Sequence, residues 1–503
     1  MLVLSSTIHV SALALLATAL AAIARHDHGS RAASAEATRP ARGAPSETPV
    51  PNRPEVTREE LEHVLGRLAS DEWEGRATAS PGIRAAGDLL AERLRLAGVA
   101  PGGDEGTYFQ AVPMVRARSR AAPELALREG ETRREFQLGV DYDIVAETLV
   151  HAGLVLRFVD ALERMPDAAD AGMALVLDGS AAQRREWLAA KGLGEGRGFG
   201  LIVTRGQAQP GAARQQLQSR LERVDKPSAR VDQPIVLRAH APLLEALRQA
   251  GDGALLAIDT KVEKLREDCR NVVGFIEGAG SKDDPKLAET ALVLSAHYDH
   301  VGLDEHAGPG EDRVMNGADD DASGCAMLAE IAGALAGGPP PARDVVILFA
   351  TAEEIGLIGT EYHLDHPRAP LERTVANLNF EMVGRADEKA GGPGWLWFTG
   401  HDRTNLHEAF VAASLAIAAD PYPNQMFFER SDNYAFVKRG VVGQTFSSYN
   451  LHKDYHRVTD EVALIDFAHL HEATRAALAA VRLVADGKVE PLWKPGRVPL
   501  RPR

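Results

Sequence analysis

The sequence predicts an α/β fold: a largely parallel, mixed sheet sandwiched between helices, with a smaller α/β or β-rich domain inserted into it. Three observations carry this prediction. At 503 residues the chain is too long for one simple core, so two compact units with flanking segments are expected. From Asn271 to Gly487 short apolar runs alternate with helical patterns, as parallel strands joined by helices do. From about Arg118 to Lys264 the texture changes, which marks an insertion.

Taken in order, the first segment is the apolar run Val10 to Ala24, shorter than the roughly 20 residues a membrane span needs. Ala-Leu-Ala ending at Ala21 and Ala-Ile-Ala ending at Ala24 read as cleavage sites, although Met1 to His9 carries no Lys or Arg. Residues 1–24 are therefore expected to be a signal peptide or an N-terminal anchor. The chain is expected to be exported, periplasmic or extracellular. Residues 25–55 are rich in Ala, Arg, Pro, Ser and Thr without apolar periodicity and read as a disordered linker. Thr57 followed by Glu60 reads as a capping box that opens a helix with Leu61, Val64, Leu65 and Leu68 on one face. A second helix is expected from Ile83 to Ala97.

In the inserted stretch, 118–268, apolar runs at Gly172 to Leu177 and Phe199 to Val203 flank a helix that starts at Ser180. No metal or nucleophile cluster occurs there. The surrounding residues 56–117 and 269–490 are expected to form one discontinuous domain, with 491–503 as a tail. In its second part, strands are expected at 271–276, 291–295, 344–349, 375–380 and 441–446, and helices at 322–336, 406–418 and 466–485. In such sheets a site forms at the carboxyl ends of the strands.

Composition narrows the function. A formal charge of −15 argues against nucleic acid or anionic membrane surfaces as partners, apart from the N-terminal segment as an anchor. Two cysteines, Cys269 and Cys325, exclude a disulfide-stapled fold and make no thiolate zinc site. The sequence holds no Gly-x-Ser-x-Gly elbow, no Lys-Ser/Thr phosphate loop and no His-Glu-x-x-His.

The unusual polar residues fall at strand ends: His297 and Asp299 after one strand, Glu353 and Glu354 after a second, Glu381 after a third. Core packing does not explain carboxylates placed this way, because such groups are rarely buried unless paired or metal-bound. His-x-Asp alone is a common loop pattern; as chemistry it places a histidine ligand beside a carboxylate that orients it. Gly317-Ala-Asp-Asp-Asp-Ala-Ser-Gly324 opens a helix, and a cap accounts for Asp321 but does not need three consecutive aspartates. A cation would relieve their repulsion, and one carboxylate can bridge two cations. The adjacent glutamates divide between metal binding and proton transfer if a metal activates water. Tyr455-His456 would bring one more ligand and a phenol able to stabilise an oxyanion.

Together these residues resemble the di-zinc aminopeptidase and glutamate carboxypeptidase family, metallopeptidase family twenty-eight. The resemblance is an ordered set: Ser295-Ala-His-Tyr-Asp299, Gly317 to Gly324, Ala352-Glu-Glu-Ile-Gly-Leu-Ile-Gly359, Asn379-Phe-Glu-Met-Val-Gly384, Arg430-Ser-Asp432 and Tyr455-His456. It covers about 271–487, with a weaker match at Gly75-Arg76, and the inserted segment resembles a protease-associated domain. It implies a zinc exopeptidase fold and two zinc ions, with His297 and Glu381 on one side, Glu354 and His456 on the other, and Asp320 bridging. It also implies Glu353 as general base, Tyr455 as oxyanion donor and Asp299 as an outer-shell catalytic group. Asp432, Asn433 and Arg385 are expected near the substrate, a peptide. The sequence departs from the family pattern twice: Glu381 stands where Asp is common, and Asn433 where His is common. The implied activity is that of an aminopeptidase. The alternatives are a carboxypeptidase of the glutamate carboxypeptidase type, a single-zinc glutaminyl cyclase, and a receptor-like member without activity.

Overall fold

The computed structural model describes residues 53–119, 123–146, 151–193, 198–206, 220–225, 235–259 and 262–498. The apolar N-terminal run and nearly all of the linker lie outside these residues. No helix among the described residues is long and apolar enough to cross a membrane.

The larger sheet has ten strands. Across it run Ile417–Ala419, Leu396–Phe398, Val442–Ser447, Thr374–Phe380, Ala291–His297, Asp344–Ala350, Val262–Ile276, Phe109–Ser119 and Arg220–Arg223, with Ala100–Pro101 pairing beside Val262–Ile276. The four central strands, from Val442–Ser447 to Asp344–Ala350, are mutually parallel. The strands beyond Asp344–Ala350 pair antiparallel. All four central strands therefore end on one edge of the sheet.

Strand alternation sorts the apolar side chains onto two faces. Leu292, Leu294, Ala296, Val345, Ile347 and Phe349 face a core shared with Arg58–Leu68, Pro81–Leu96, Gly324–Gly337 and Phe467–Ala485. Val293, Val346 and Leu348 face Leu364, Ala435 and Phe436 from the short helices Ile358–Asp365 and Asn433–Lys438. Cys269 and Cys325 are buried free thiols.

The second sheet has eight strands between residues 124 and 259. Its centre, from His151–Val159 through Met173–Leu177 and Leu201–Arg205 to Ile235–Ala239, is also parallel. The helix at Ala181–Ala190 is closed by the capping box Ser180–Gln183. This second sheet leaves and rejoins the larger one through an antiparallel ladder from Val262↔Ser119 to Val272↔Phe109. Val262–Ile276 thus runs unbroken through the boundary expected at 268.

Some local expectations need correction. Thr57 does precede the first helix, but the capping box does not form. Glu60 is held by Arg93 through two contacts of 2.6 Å, and Thr57 N–H donates instead to Glu330 Oε2 at 2.8 Å. The helix expected over 406–418 stops at Ala412. Ser414 takes a left-handed φ of 57°, and Ile417 then enters the sheet. In the tail expected at 491–503, as far as it is described, Trp493 bridges Thr404, and Leu492 N–H donates to Asn405 Oδ1.

Candidate active site

All four parallel strand ends meet at one site, and Ser447, the last residue of Val442–Ser447, lines its pocket. His297 is the last residue of its strand. Glu353 and Glu354 lie in the turn after Ala350, and Glu381 follows Phe380 directly. Asp320 enters from a distorted helical turn, Ala318–Ser323, ahead of the helix Gly324–Gly337. Tyr455 and His456 come from the loop after Val442–Ser447.

These residues form two donor groups that share Asp320: His297, Asp320 and Glu381, and His300, Asp320, Glu354 and His456. His297 Nε2 lies 3.2 Å from Asp320 Oδ1. His456 Nε2 lies 3.2 Å from Asp320 Oδ2 and 3.1 Å from Glu354 Oε2. Ligands about 2.0 Å from a tetrahedral zinc ion sit about 3.3 Å from one another. His297 Nε2, Asp320 Oδ2, Glu381 Oε2 and His456 Nε2 are buried without a hydrogen-bond partner. Buried polar atoms are rarely left so, and a cation at the centre of each group would satisfy them. The imidazole and carboxylate donors suit zinc.

The electrostatics show the strain of this arrangement. Burial alone would raise the Asp320 carboxyl, but His297 and His456 outweigh it and hold it well below the usual range. Burial pushes Glu381 up to about 7 against the pull of His297. It also raises Glu353 well above an ordinary glutamate, against His297 and with the help of the Glu381 charge. His456 is raised to about 10, because its bonds to Asp320 and Glu354 overcome desolvation. A dication would change this balance by favouring the ionised carboxylates.

Several residues hold these side chains at one remove. Asp299 Oδ1 accepts from Glu353 N–H at 3.0 Å, and its Oδ2 accepts from Thr78 Oγ at 3.1 Å. Asp321 accepts from the backbone of His297, Gly324 and Met382, which ties two strand ends to the helix start. Asp460 Oδ2 accepts from Asp319 N–H and Asp320 N–H at 3.0 and 3.1 Å. The buried Arg76 guanidinium donates to the carbonyls of Asn316 and Gly317. Ala352, Met382 and His456 all take left-handed φ values of 57°, 54° and 54°. Such residues cost on the order of 1–3 kcal/mol each and cluster at functional sites.

The pocket encloses about 330 Å³ and is lined by Asp320, Glu353, Glu354, Glu381, Tyr455 and His456 on one side and by Trp397, Phe427, Arg430 and Ser431 among others. The Tyr455 ring stacks on His456 at 3.9 Å. The three residues expected near the substrate do not line it. Arg385 is held by Asp454 at 2.9 Å and Asp460 at 2.7 Å. Asp432 is fully buried and accepts from Thr360 Oγ at 2.6 Å. Asn433 donates to Phe428 O and accepts from Thr445. Their neighbours Arg430 and Ser431 face the pocket instead, because a helix begins at Asn433 and turns the next residues inward. Sequence reasoning assigned no role to His300, Ser431 or Asp460. For His300 the signal was available: it is the histidine directly after His297-Tyr-Asp299.

Residues 271–481 match the family model Peptidase family M28. The chain is 35% identical over 206 residues to aminopeptidase YwaD of Bacillus subtilis (strain 168), covering 38% of this chain and 40% of that protein. It is 30% identical over 178 residues to a vacuolar membrane protease of Yarrowia lipolytica (strain CLIB 122 / E 150), covering 34% of this chain and 16% of that protein. The chain thus spans well under half the length of these relatives. Among solved structures, an aminopeptidase from Aneurinibacillus sp. strain AM-1 superposes with a TM-score of 0.48 at 17% identity, over 89% of this chain and 97% of that one. The segment 271–481 that matches this family model carries the parallel strand ends around the pocket.

Proposed function

We propose that the chain is a zinc-dependent exopeptidase that removes residues from the amino end of peptides. One observation carries the reading: two donor groups share Asp320 beside a pocket that is also lined by a half-buried glutamate, Glu353. His297 and Glu381 would hold one zinc ion and Glu354 and His456 the other, with Asp320 between them. When bound, the ions polarise the scissile carbonyl and lower the pKa of the attacking water. Glu353 accepts the proton from that water and returns it to the leaving amine. Burial raises its proton affinity well above that of an ordinary glutamate, which favours its accepting a proton. The Tyr455 hydroxyl donates to the developing oxyanion. Asp299 acts through the backbone of Glu353, keeping the carboxylate turned into the pocket.

The amino-end assignment rests on the likeness to aminopeptidase YwaD. Of the five carboxylates that line the pocket, Asp320, Glu354 and Glu381 would hold the ions and Glu353 moves the proton, which leaves Glu429 to meet an α-ammonium group opposite Arg430. Arg385, the other basic residue near the site, is committed to Asp454 and Asp460 and so is not free to hold an α-carboxylate. The apolar run at 10–24 supports export of the chain, and the second sheet serves as an accessory domain of the protease-associated kind.

A panel of aminoacyl and N-blocked peptides, with and without chelator, tests this reading. Cleavage of free-amine substrates only, abolished by chelator and restored by zinc, is the expected outcome. Equal cleavage of blocked peptides overturns the amino-end assignment. Cyclisation of N-terminal glutamine with no hydrolysis points to the cyclase reading instead.

A further inference from the structure

The two donor groups differ in size, and the difference is His300. Its side chain is fully buried in the segment that follows the His297 strand. There its N–H donates to Arg76 O at 3.2 Å and Ala77 pairs beside it. On one side the ring lies against the loop that carries Asp320. A Cβ at Gly317, whose φ is +57°, would come within 2.6 Å of it. On the other side the ring meets His456 edge to face, with centroids 5.5 Å apart. The imidazole is therefore confined, with Nδ1 2.9 Å from Glu354 Oε1 and 3.9 Å from Asp320 Oδ2.

Resting on the two-metal reading above, we infer that His300 is a fourth protein ligand of the ion on the Glu354–His456 side. The donor atoms of His300, Asp320, Glu354 and His456 all lie within 4.8 Å of one another. Four separations among these residues, 2.9 Å from His300 to Glu354 Oε1, 3.1 Å from His456 to Glu354 Oε2, and 3.2 and 3.9 Å from His456 and His300 to Asp320 Oδ2, lie around the roughly 3.3 Å edge of a zinc tetrahedron. Two imidazoles and two carboxylates balance the charge of a dication. The opposite group offers three donors, His297, Asp320 and Glu381. Structural zinc sites are closed by four protein ligands, and catalytic ones keep a position open. The molecule would therefore hold one ion with four protein ligands and one with three.

The competing role for His300 is a hydrogen bond from Nδ1 to Glu354 with no contact to metal. Two measurements separate the roles. In protein loaded with cadmium-113 and labelled with nitrogen-15 histidine, three imidazole nitrogens should show one-bond splitting by cadmium. Splitting at only two overturns the inference, and this measurement needs no substitution. In the second, zinc retention is measured against a competing chelator for the unsubstituted chain, His300→Ala and His300→Gln. The glutamine amide can still donate to Glu354 but is a poor zinc ligand. One ion of the two should be weakened more than about 100-fold in both variants, beyond the 10–100-fold that outer-shell changes cost. A His300→Gln chain that keeps both ions within about 100-fold of the unsubstituted one overturns the inference. An unsubstituted chain that binds fewer than two ions overturns the two-metal reading itself, a separate result.

Discussion

The two sides of the site are built by different means. On one side, His297 and Glu381 are borne by neighbouring parallel strands whose register runs from Ala291↔Thr374 to Ser295↔Asn379. The sheet ladder places both, and His297 is fully buried. On the other side, Glu354 sits in a turn and His456 in a long loop, at a left-handed φ of 54° and with its side chain 34% exposed. No ladder reaches these residues. Side-chain bonds hold them instead: Asp299 on the backbone of the Glu353–Glu354 turn, Asp460 on the Asp319–Asp320 amides, and the Arg385 guanidinium bridging the Asp454 and Asp460 carboxylates. Strand register makes a site rigid directly, whereas loop ligands depend on a second layer of bonds that can be removed one at a time.

Substitutions can break this contrast in graded steps. Glu353→Gln, between the two sides, should lower kcat by about 10³-fold or more while metal analysis still finds the zinc content of the unsubstituted chain. Asp320→Ala removes the shared ligand and should release both ions, whereas His297→Ala and His456→Ala should each release one; zinc counted after dialysis reads this directly. Arg385→Met and Asp460→Asn touch no metal. They should weaken zinc binding on the His456 side by about 10–100-fold, and less on the His297 side, which feels them only through the shared Asp320. Equal weakening of both sides would show that the loop and the strands act as one unit.

The smallest expected effect on zinc and activity comes from a group outside both sides, which serves as a control. Burial pushes the Glu330 carboxyl up to about 7 even though Thr57 donates to it. A group whose folded pKa lies above its unfolded value contributes stability that is full below about 4.5 and is lost as pH rises through about 7. Glu330→Gln should therefore raise Tm at pH 8, by a free energy of roughly 3 kcal/mol at most, and leave Tm near pH 4.5 unchanged. Zinc content and activity should not move.

Much of the candidate site was legible because its polar side chains follow closely on apolar runs. His297, Glu353, Glu354 and Glu381 each stand next to a strand that composition alone marks out. The substrate residues were less legible, since Arg430-Ser-Asp-Asn433 contains no periodic signal for which side chains face the pocket. A short helix starting at Asn433 decided that, turning Asp432 onto Thr360 and leaving Arg430 and Ser431 at the wall. Likewise Glu60 and Thr57 carry the pattern of a capping box. The partners that overrule it, Arg93 and Glu330, are 33 and 273 residues away.

The sequence by itself determined the alternation of strands and helices, the interruption between them, and the order in which metal-binding residue types occur. These follow from local periodicity and from the cost of burying a carboxylate. Only the tertiary structure decided how the ligands divide. That His300 joins Glu354 and His456, that Asp320 stands between the groups, and that Arg385 is bound to aspartates and kept out of the pocket all depend on strand register and on loops closing over the sheet edge. Distances between residues far apart in the chain carry that information, and no short window of sequence contains them.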